Sequence, residues 1–66
     1  MKRIKVRYYV KSDEGVNIEE RYFATLVEDD FFENITSDTF SHFENVISAS
    51  ENLNLGNLEI RGFREI

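Results

Sequence analysis

The sequence has no cysteine, no proline and no tryptophan, and only one histidine among its 66 residues. Without cysteine, the chain can form neither a disulfide nor a zinc site with thiolate ligands. A lone histidine without an H-x-x-x-H spacing also predicts no metal site, and nothing in the sequence predicts a cofactor. We therefore expect His42 to be an ordinary surface or partly buried side chain.

Long apolar segments are missing as well. No stretch approaches the roughly 20 apolar residues of a membrane-spanning helix, so we expect no membrane partner. The start, MKRIKVRYYV, alternates basic and apolar residues, whereas a signal peptide has a continuous apolar core. We expect a cytoplasmic location, which the lack of cysteine also fits.

Recognisable catalytic patterns are also missing. The three glycines stand apart at 15, 56 and 62, so no glycine-rich phosphate-binding loop exists. Ser41 and His42 are neighbours on a predicted helix, where adjacent side chains point apart. A chain this short leaves little room for a substrate pocket, so we predict no catalytic residues and no enzyme activity.

What the chain does contain predicts a folded unit. Three tyrosines and six phenylalanines among 66 residues argue against disorder. A chain of this length buries only about 60% of its unfolded surface, so its stability is marginal. We predict a single domain spanning residues 1–66.

Charge is strongly segregated along the chain. Residues 1–11 carry five basic residues and no acid, whereas residues 12–60 carry twelve acids and only one basic residue, Arg21. No lysine or arginine occurs between Tyr22 and Ile60. Such asymmetry affects association and solubility more than fold.

The stretch RIKVRYYVK, residues 3–11, alternates in the manner of a half-buried strand. Its predicted inward face carries Ile4, Val6, Tyr8 and Val10. Its other face carries Arg3, Lys5, Arg7, Tyr9 and Lys11.

The segment SDEG, residues 12–15, predicts a type I turn with Gly15 left-handed. This turn closes the hairpin at a pair between Ser12 and Val16, followed by a second strand at about residues 17–27. In that register the core-facing side chains are Ile18, Tyr22 and Ala24. The same register places Glu19 and Phe23 beside the basic side chains of the first strand.

The rest of the chain predicts one turn, one helix and one strand. EDDFFENI indicates a loop or a single helical turn, and an apolar stripe then predicts a helix that begins near residues 36–38. The stripe consists of Phe40, Phe43, Val46, Ile47 and Leu53. Gly56 is expected to end the region, and NLEIRGFREI predicts a strand with Leu58 and Ile60 inward and a bulge at Gly62. The predicted fold is α+β, with the order β-β-α-β: a three-stranded antiparallel or mixed sheet and one helix on one face.

The segment from 28 to 38, here called the acidic tract, is the most distinctive feature. Its acids surround Phe31 and Phe32, of which one is expected to anchor the tract and the other to be an exposed contact. Helix acids at positions 44 and 51 share a face. The candidate partner-binding residues are Glu28, Asp29, Asp30, Phe31, Phe32, Glu33, Asp38, Glu44 and Glu51.

The small size, acidic balance, lack of cysteine and mixed β/α order resemble those of small phage-encoded proteins that inhibit host machinery, some of which are DNA mimics. The resemblance covers the character of the whole chain and rests on no motif. It implies a non-enzymatic inhibitor or modulator of a basic DNA- or RNA-binding protein, such as a nucleoid-associated protein, in which the acids take the place of phosphates.

Two other functions stay open. One is a self-associating assembly protein, including a homodimer, with strand 3 or the basic strand at a sheet edge. The other is a nucleic-acid binder that uses the basic strand. Because the predicted register puts Glu19 on the basic face, with Glu59 and Glu65 as further candidates, we interpret the basic strand as neutralising its neighbours and expect no direct nucleic-acid partner.

Overall fold

The computed structural model describes residues 1–15 and 17–66. The strands are β1 (Lys2–Lys11), β2 (Ile18–Val27) and β3 (Leu58–Glu65), and the helix is α1 (Ser37–Glu51). All strand pairs are antiparallel and the sheet order is β2-β1-β3. The predicted α+β fold with the order β-β-α-β is confirmed, and the sheet is antiparallel rather than mixed.

The core lies between α1 and one face of the sheet. The inward side chains of β1 and the apolar stripe of α1 face each other, as predicted. Burying these side chains away from water stabilises the fold. The buried core residues are Ile4, Val6, Tyr8, Val27, Phe43, Ile47 and Leu58. Six of these seven come from β1, α1 and β3, whereas β2 contributes only Val27.

Helix α1 has clear local signals at both ends. Thr36 is the N-cap: its N–H donates to Oγ1 of Thr39 at 3.0 Å. The helix ends at Glu51 because Asn52 adopts a left-handed conformation with φ 55°. Gly56, predicted as a cap or turn, lies in a 3-10 turn at Leu55–Asn57. The predicted single turn within EDDFFENI is a 3-10 helix at Phe31–Glu33.

The predicted hairpin register is wrong by one residue. Gly15 is left-handed as expected, with φ 70°, and its N–H donates to the carbonyl of Ser12 at 2.8 Å. However, the N–H of Ser12 donates to the carbonyl of Asn17 at 2.9 Å, so the hairpin closes one residue later. Val16, the predicted partner of Ser12, lies outside the described residues.

A slip of one residue exchanges the two faces of β2. Tyr22 and Ala24, predicted to face the core, instead lie on the outer face, and Ile18 does the same. Ile18 and Tyr22 are 60% and 53% exposed. Phe23 faces inward and packs against the core.

Strand β3 contains the predicted irregularity beside Gly62. Gly62 pairs with Arg7 and Ile60 pairs with Tyr8, so Arg61 is the extra residue of a bulge. The bulge turns Phe63 inward, where its ring centroid lies 5.4 Å from that of Phe43. The sheet edges are β2 and β3. The basic strand is therefore central, so the alternative that placed it at an edge is wrong for that strand.

Candidate functional site

The acidic tract leaves the sheet after β2 and enters α1 in an ordered conformation. The N–H of Phe31 donates to the carbonyl of Glu28 at 3.0 Å, and the side-chain amide of Asn34 donates to the carbonyl of Asp30 at 2.9 Å. Asp38 lies in the first turn of α1, where a carboxylate interacts favourably with the helix dipole. These contacts fix the backbone that presents the acids.

The two phenylalanines of the tract have different environments. The Phe31 ring packs edge-on against Phe43 and Phe63, with centroids 6.0 and 5.3 Å away. Phe32 is 37% exposed, and the Nζ of Lys2 lies 5.9 Å from its ring centroid. Phe31 is therefore the anchor and Phe32 the exposed side chain.

Two of the candidate acids already have partners within the chain. The carboxylate of Asp29 forms an ion pair with the Met1 amino group at 3.0 Å. Glu51 accepts a hydrogen bond from the hydroxyl of Tyr8 at 2.7 Å and pairs with Arg21 at 3.3 Å. Glu51 therefore joins elements of the fold, and both carboxylates are less available to a partner than the other candidate acids.

Four acids of the tract, in contrast, make no ion pair with any residue that the structure describes. They are Glu28, Asp30, Glu33 and Asp38. Glu44 on α1 shares this property but is half-buried. Like charges left unpaired on one side of a molecule repel each other and attract cations.

A groove of about 570 Å³ runs beside this tract, between β2 and α1. We call it the β2–α1 groove. It exists because α1 contacts β3 more closely than β2, so the inward face of β2 is only partly covered. Its apolar lining includes Phe23, Val27, Phe31, Phe43 and Val46. Its acidic rim consists of Glu28, Asp30 and Asp38.

The groove brings together only some of the predicted site residues. Glu28, Asp30, Phe31 and Asp38 line it, whereas the other five predicted residues do not. Phe23, Thr25 and Val46 line it but were not predicted as site residues. Phe23 and Thr25 were missed because the predicted register placed them on the opposite side of the sheet.

His42 also lies at the groove, exposed, with its ring centroid 5.2 Å from that of Phe43. This agrees with its expected role as an ordinary surface side chain. Residues 1–15 and 17–66 contain no group of three or more histidine, aspartate or glutamate side chains placed to hold a metal ion. Within the same residues, no helix is long and apolar enough to cross a membrane.

The corrected register also changes the opposite side of the sheet. Glu19 and Phe23 do not share the face of the basic side chains, since they align with the inward residues of β1. Glu65 pairs with the inward Ile4. The acids on the basic face are Glu20 and Glu59, so the interpretation that acidic neighbours neutralise the basic strand holds only in part.

No family model, curated protein or solved structure matches this chain. Functional proposals therefore depend on its two surfaces: the acidic groove on the helix side and the basic face of the sheet.

Proposed function

We propose that the protein is a non-enzymatic binding protein that holds a basic partner protein in the β2–α1 groove. The observation that carries this proposal is an apolar groove whose rim bears three carboxylates without ion-pair partners among the described residues. The apolar lining supports burial of partner side chains, at about 25 cal/mol per Å². The rim favours lysine and arginine beside them.

This arrangement specifies the chemistry of the partner. A segment with apolar side chains flanked by basic residues satisfies both the lining and the rim. DNA- and RNA-binding proteins carry basic surfaces of this kind, so they are the partner class that we propose. In the more specific form of the proposal, the acids stand in for phosphates and the protein inhibits its partner by DNA mimicry.

The test compares two variants with the same change in net charge. Glu28→Gln/Asp30→Asn/Asp38→Asn removes the groove acids. Glu14→Gln/Glu33→Gln/Glu44→Gln removes three acids that lie outside the groove and are unpaired among the described residues. Each immobilised protein is exposed to nuclease-treated bacterial lysate at low salt, and retained proteins are identified and then titrated in purified form.

We expect the wild-type protein to retain a basic protein that the groove variant binds about 5- to 150-fold more weakly, since three exposed charge contacts contribute about 0.3–1 kcal/mol each. The control variant should bind it nearly as well as the wild type. Equal losses in both variants would mean that net charge alone causes retention, and would overturn the groove assignment. Displacement of the partner by duplex DNA is the specific result that mimicry requires.

A further inference from the structure

The sheet face turned away from α1 has no element packed on it among the described residues, and its charge is opposite to that of the groove. We call it the open sheet face. Strand β1 contributes Arg3, Lys5, Arg7, Tyr9 and Lys11. The neighbouring strands contribute Tyr22, Leu26, Arg61, Gly62 and Arg64, together with two acids, Glu20 and Glu59. We propose that this face binds single-stranded nucleic acid.

The first support is a cluster of four cations that have no ion-pair partner among the described residues. Arg3, Lys5 and Arg7 follow one another along β1 at intervals of about 6.6 Å, and Arg64 pairs directly across from Lys5. None of the four forms an ion pair with any described residue, although the chain has 13 acids. Adjacent like charges in a sheet are unfavourable. A row of phosphates would relieve this repulsion.

The second support is a pair of tyrosines placed among these cations. The Nζ of Lys5 lies 4.7 Å from the ring centroid of Tyr22, and the guanidinium of Arg61 lies 5.3 Å from that of Tyr9. Tyr22 is 53% exposed. Proteins that bind single strands combine basic tracks with aromatic rings on which unpaired bases stack. In both cases the cation lies over one face of the ring, and Arg61 is itself paired with Glu59. A base would therefore stack on the remaining face of the exposed Tyr22 ring, with Lys5, unpaired among the described residues, close enough to meet its phosphate.

The third support is the shape of the face. A shallow cavity of about 290 Å³ opens between Tyr22 on β2, Lys5 and Arg7 on β1, and Gly62 and Arg64 on β3. Gly62 adds no side chain on the β3 side of this cavity, where a Cβ would project into open space with no atom within 4 Å. The cavity therefore crosses the whole width of the sheet and has cations on two strands.

The same features favour a single strand over other occupants. Bases within a duplex are stacked on each other and are not available to Tyr22. A second copy docked through the same face would bring identical cations together, which opposes a symmetric dimer there. An anionic membrane would attract the same cations but offers no unpaired base to stack on Tyr22, whereas a single strand supplies both contacts.

The experiment measures the fluorescence anisotropy of a labelled 12-nucleotide single strand, as DNA and as RNA, at 20 and 200 mM salt. We expect binding that weakens with salt. Tyr22→Ala should weaken it about 5- to 150-fold, the range for loss of one stacked base, while Tyr22→Phe keeps the ring and binds like the wild type. Arg7→Gln should reduce the slope of log K against log salt by about 0.7.

The matched controls separate this proposal from the groove. Lys11 is on the same face but is paired with Glu59 at 3.4 Å, so Lys11→Gln should change binding less than Arg7→Gln. The triple groove variant should bind the oligonucleotide as well as the wild type.

Several outcomes would overturn the proposal. One is no anisotropy change up to about 100 μM protein at low salt, the weak limit of non-specific binding. Equal binding by Tyr22→Ala and the wild type would show that the ring makes no contact. Binding to phosphatidylserine vesicles without oligonucleotide binding would assign the face to a membrane. Concentration-dependent sedimentation that Arg7→Gln abolishes, again without oligonucleotide binding, would assign it to a second copy.

Discussion

The hydroxyl of Tyr8 is a polar group within the core, and its partner explains an unusual residue at the end of α1. A glutamate in the last helical turn is unfavourable with respect to the helix dipole. Glu51 nevertheless lies there and accepts from Tyr8 on β1 and from Arg21 on β2. Its carboxylate therefore joins three elements through two side chains, which is a structural role for a residue that the charge pattern alone assigned to partner binding.

Tyr8→Phe tests this role. The variant keeps the ring but removes the donor to Glu51, whose pairing with Arg21 remains. We expect the free energy of unfolding to fall by about 1.5–3 kcal/mol, the range for a hydrogen bond to a charged group. Urea denaturation at pH 7 measures it. Tyr9→Phe on the opposite face is the matched control and should change stability by less than about 0.5 kcal/mol.

The hydrogen bond between Tyr8 and Glu51 also predicts that the stability of the fold decreases at high pH. Burial raises the pKa of Tyr8 to about 12, and the hydrogen bond and charge of Glu51 act in the same direction. The raised pKa means that folding favours the neutral phenol. This contribution is complete below about pH 10, the pKa in the unfolded chain, and is lost as the pH rises from 10 toward 12. Wild-type stability should therefore fall more steeply over this range than that of Tyr8→Phe. Parallel curves would contradict the assignment.

At the scale of the elements, the hairpin shows why an apolar pattern does not always define a register. The even positions of β2 include Ile18, Tyr22 and Leu26, a more apolar set than the odd positions. The pattern therefore predicted that the even positions face the core. The structure instead uses Phe23 and Val27 for packing. A loop that is one residue longer than predicted is enough to make this exchange.

The elements with strong local signals were predictable. Strand β1 alternates without interruption, and α1 combines a wide apolar stripe with a threonine cap. The end of α1 was not predicted: the helix is capped at Asn52 rather than at Gly56, so Leu53 of the predicted stripe is outside the helix. The functional surfaces were predictable only in part. The sequence locates the acidic tract and the basic strand, but the groove and the open sheet face depend on which way β2 is turned, and that depends on tertiary packing.

Gly15 provides a direct test of the turn. Its φ of 70° is accessible to glycine at little cost, whereas a residue with a Cβ is strained there. Gly15→Ala should lower the free energy of unfolding by about 1–2 kcal/mol. Gly62→Ala is the matched control because a Cβ at that position meets open space, so its effect should be smaller. Equal effects of the two substitutions in urea denaturation would contradict the turn geometry.

Considered as a whole molecule, the chain has two sides of opposite charge separated by a single sheet. The ion pairs between described residues are mostly exposed, and exposed pairs contribute only about 0–1 kcal/mol each. Meanwhile four cations on the open sheet face and four acids of the tract are unpaired among the described residues. A small domain of marginal stability gains nothing in folding from such segregation, so selection for binding is the explanation that we favour.

Arg7→Gln tests that explanation, because a cation retained for binding rather than for folding is expected to lower the stability of the unbound protein. Removing this cation removes its repulsion with Arg3, Lys5 and Arg64. We therefore expect the melting temperature at 20 mM salt to rise by about 1–3 °C. The gain should shrink at about 0.5 M salt, where screening is stronger. Lys11→Gln is the matched control: it removes one of the two ion-pair partners of Glu59 and should give no increase. If Arg7→Gln lowers the melting temperature as much as Lys11→Gln does, the cations of the open sheet face do not destabilise the fold, and their retention needs no ligand to explain it.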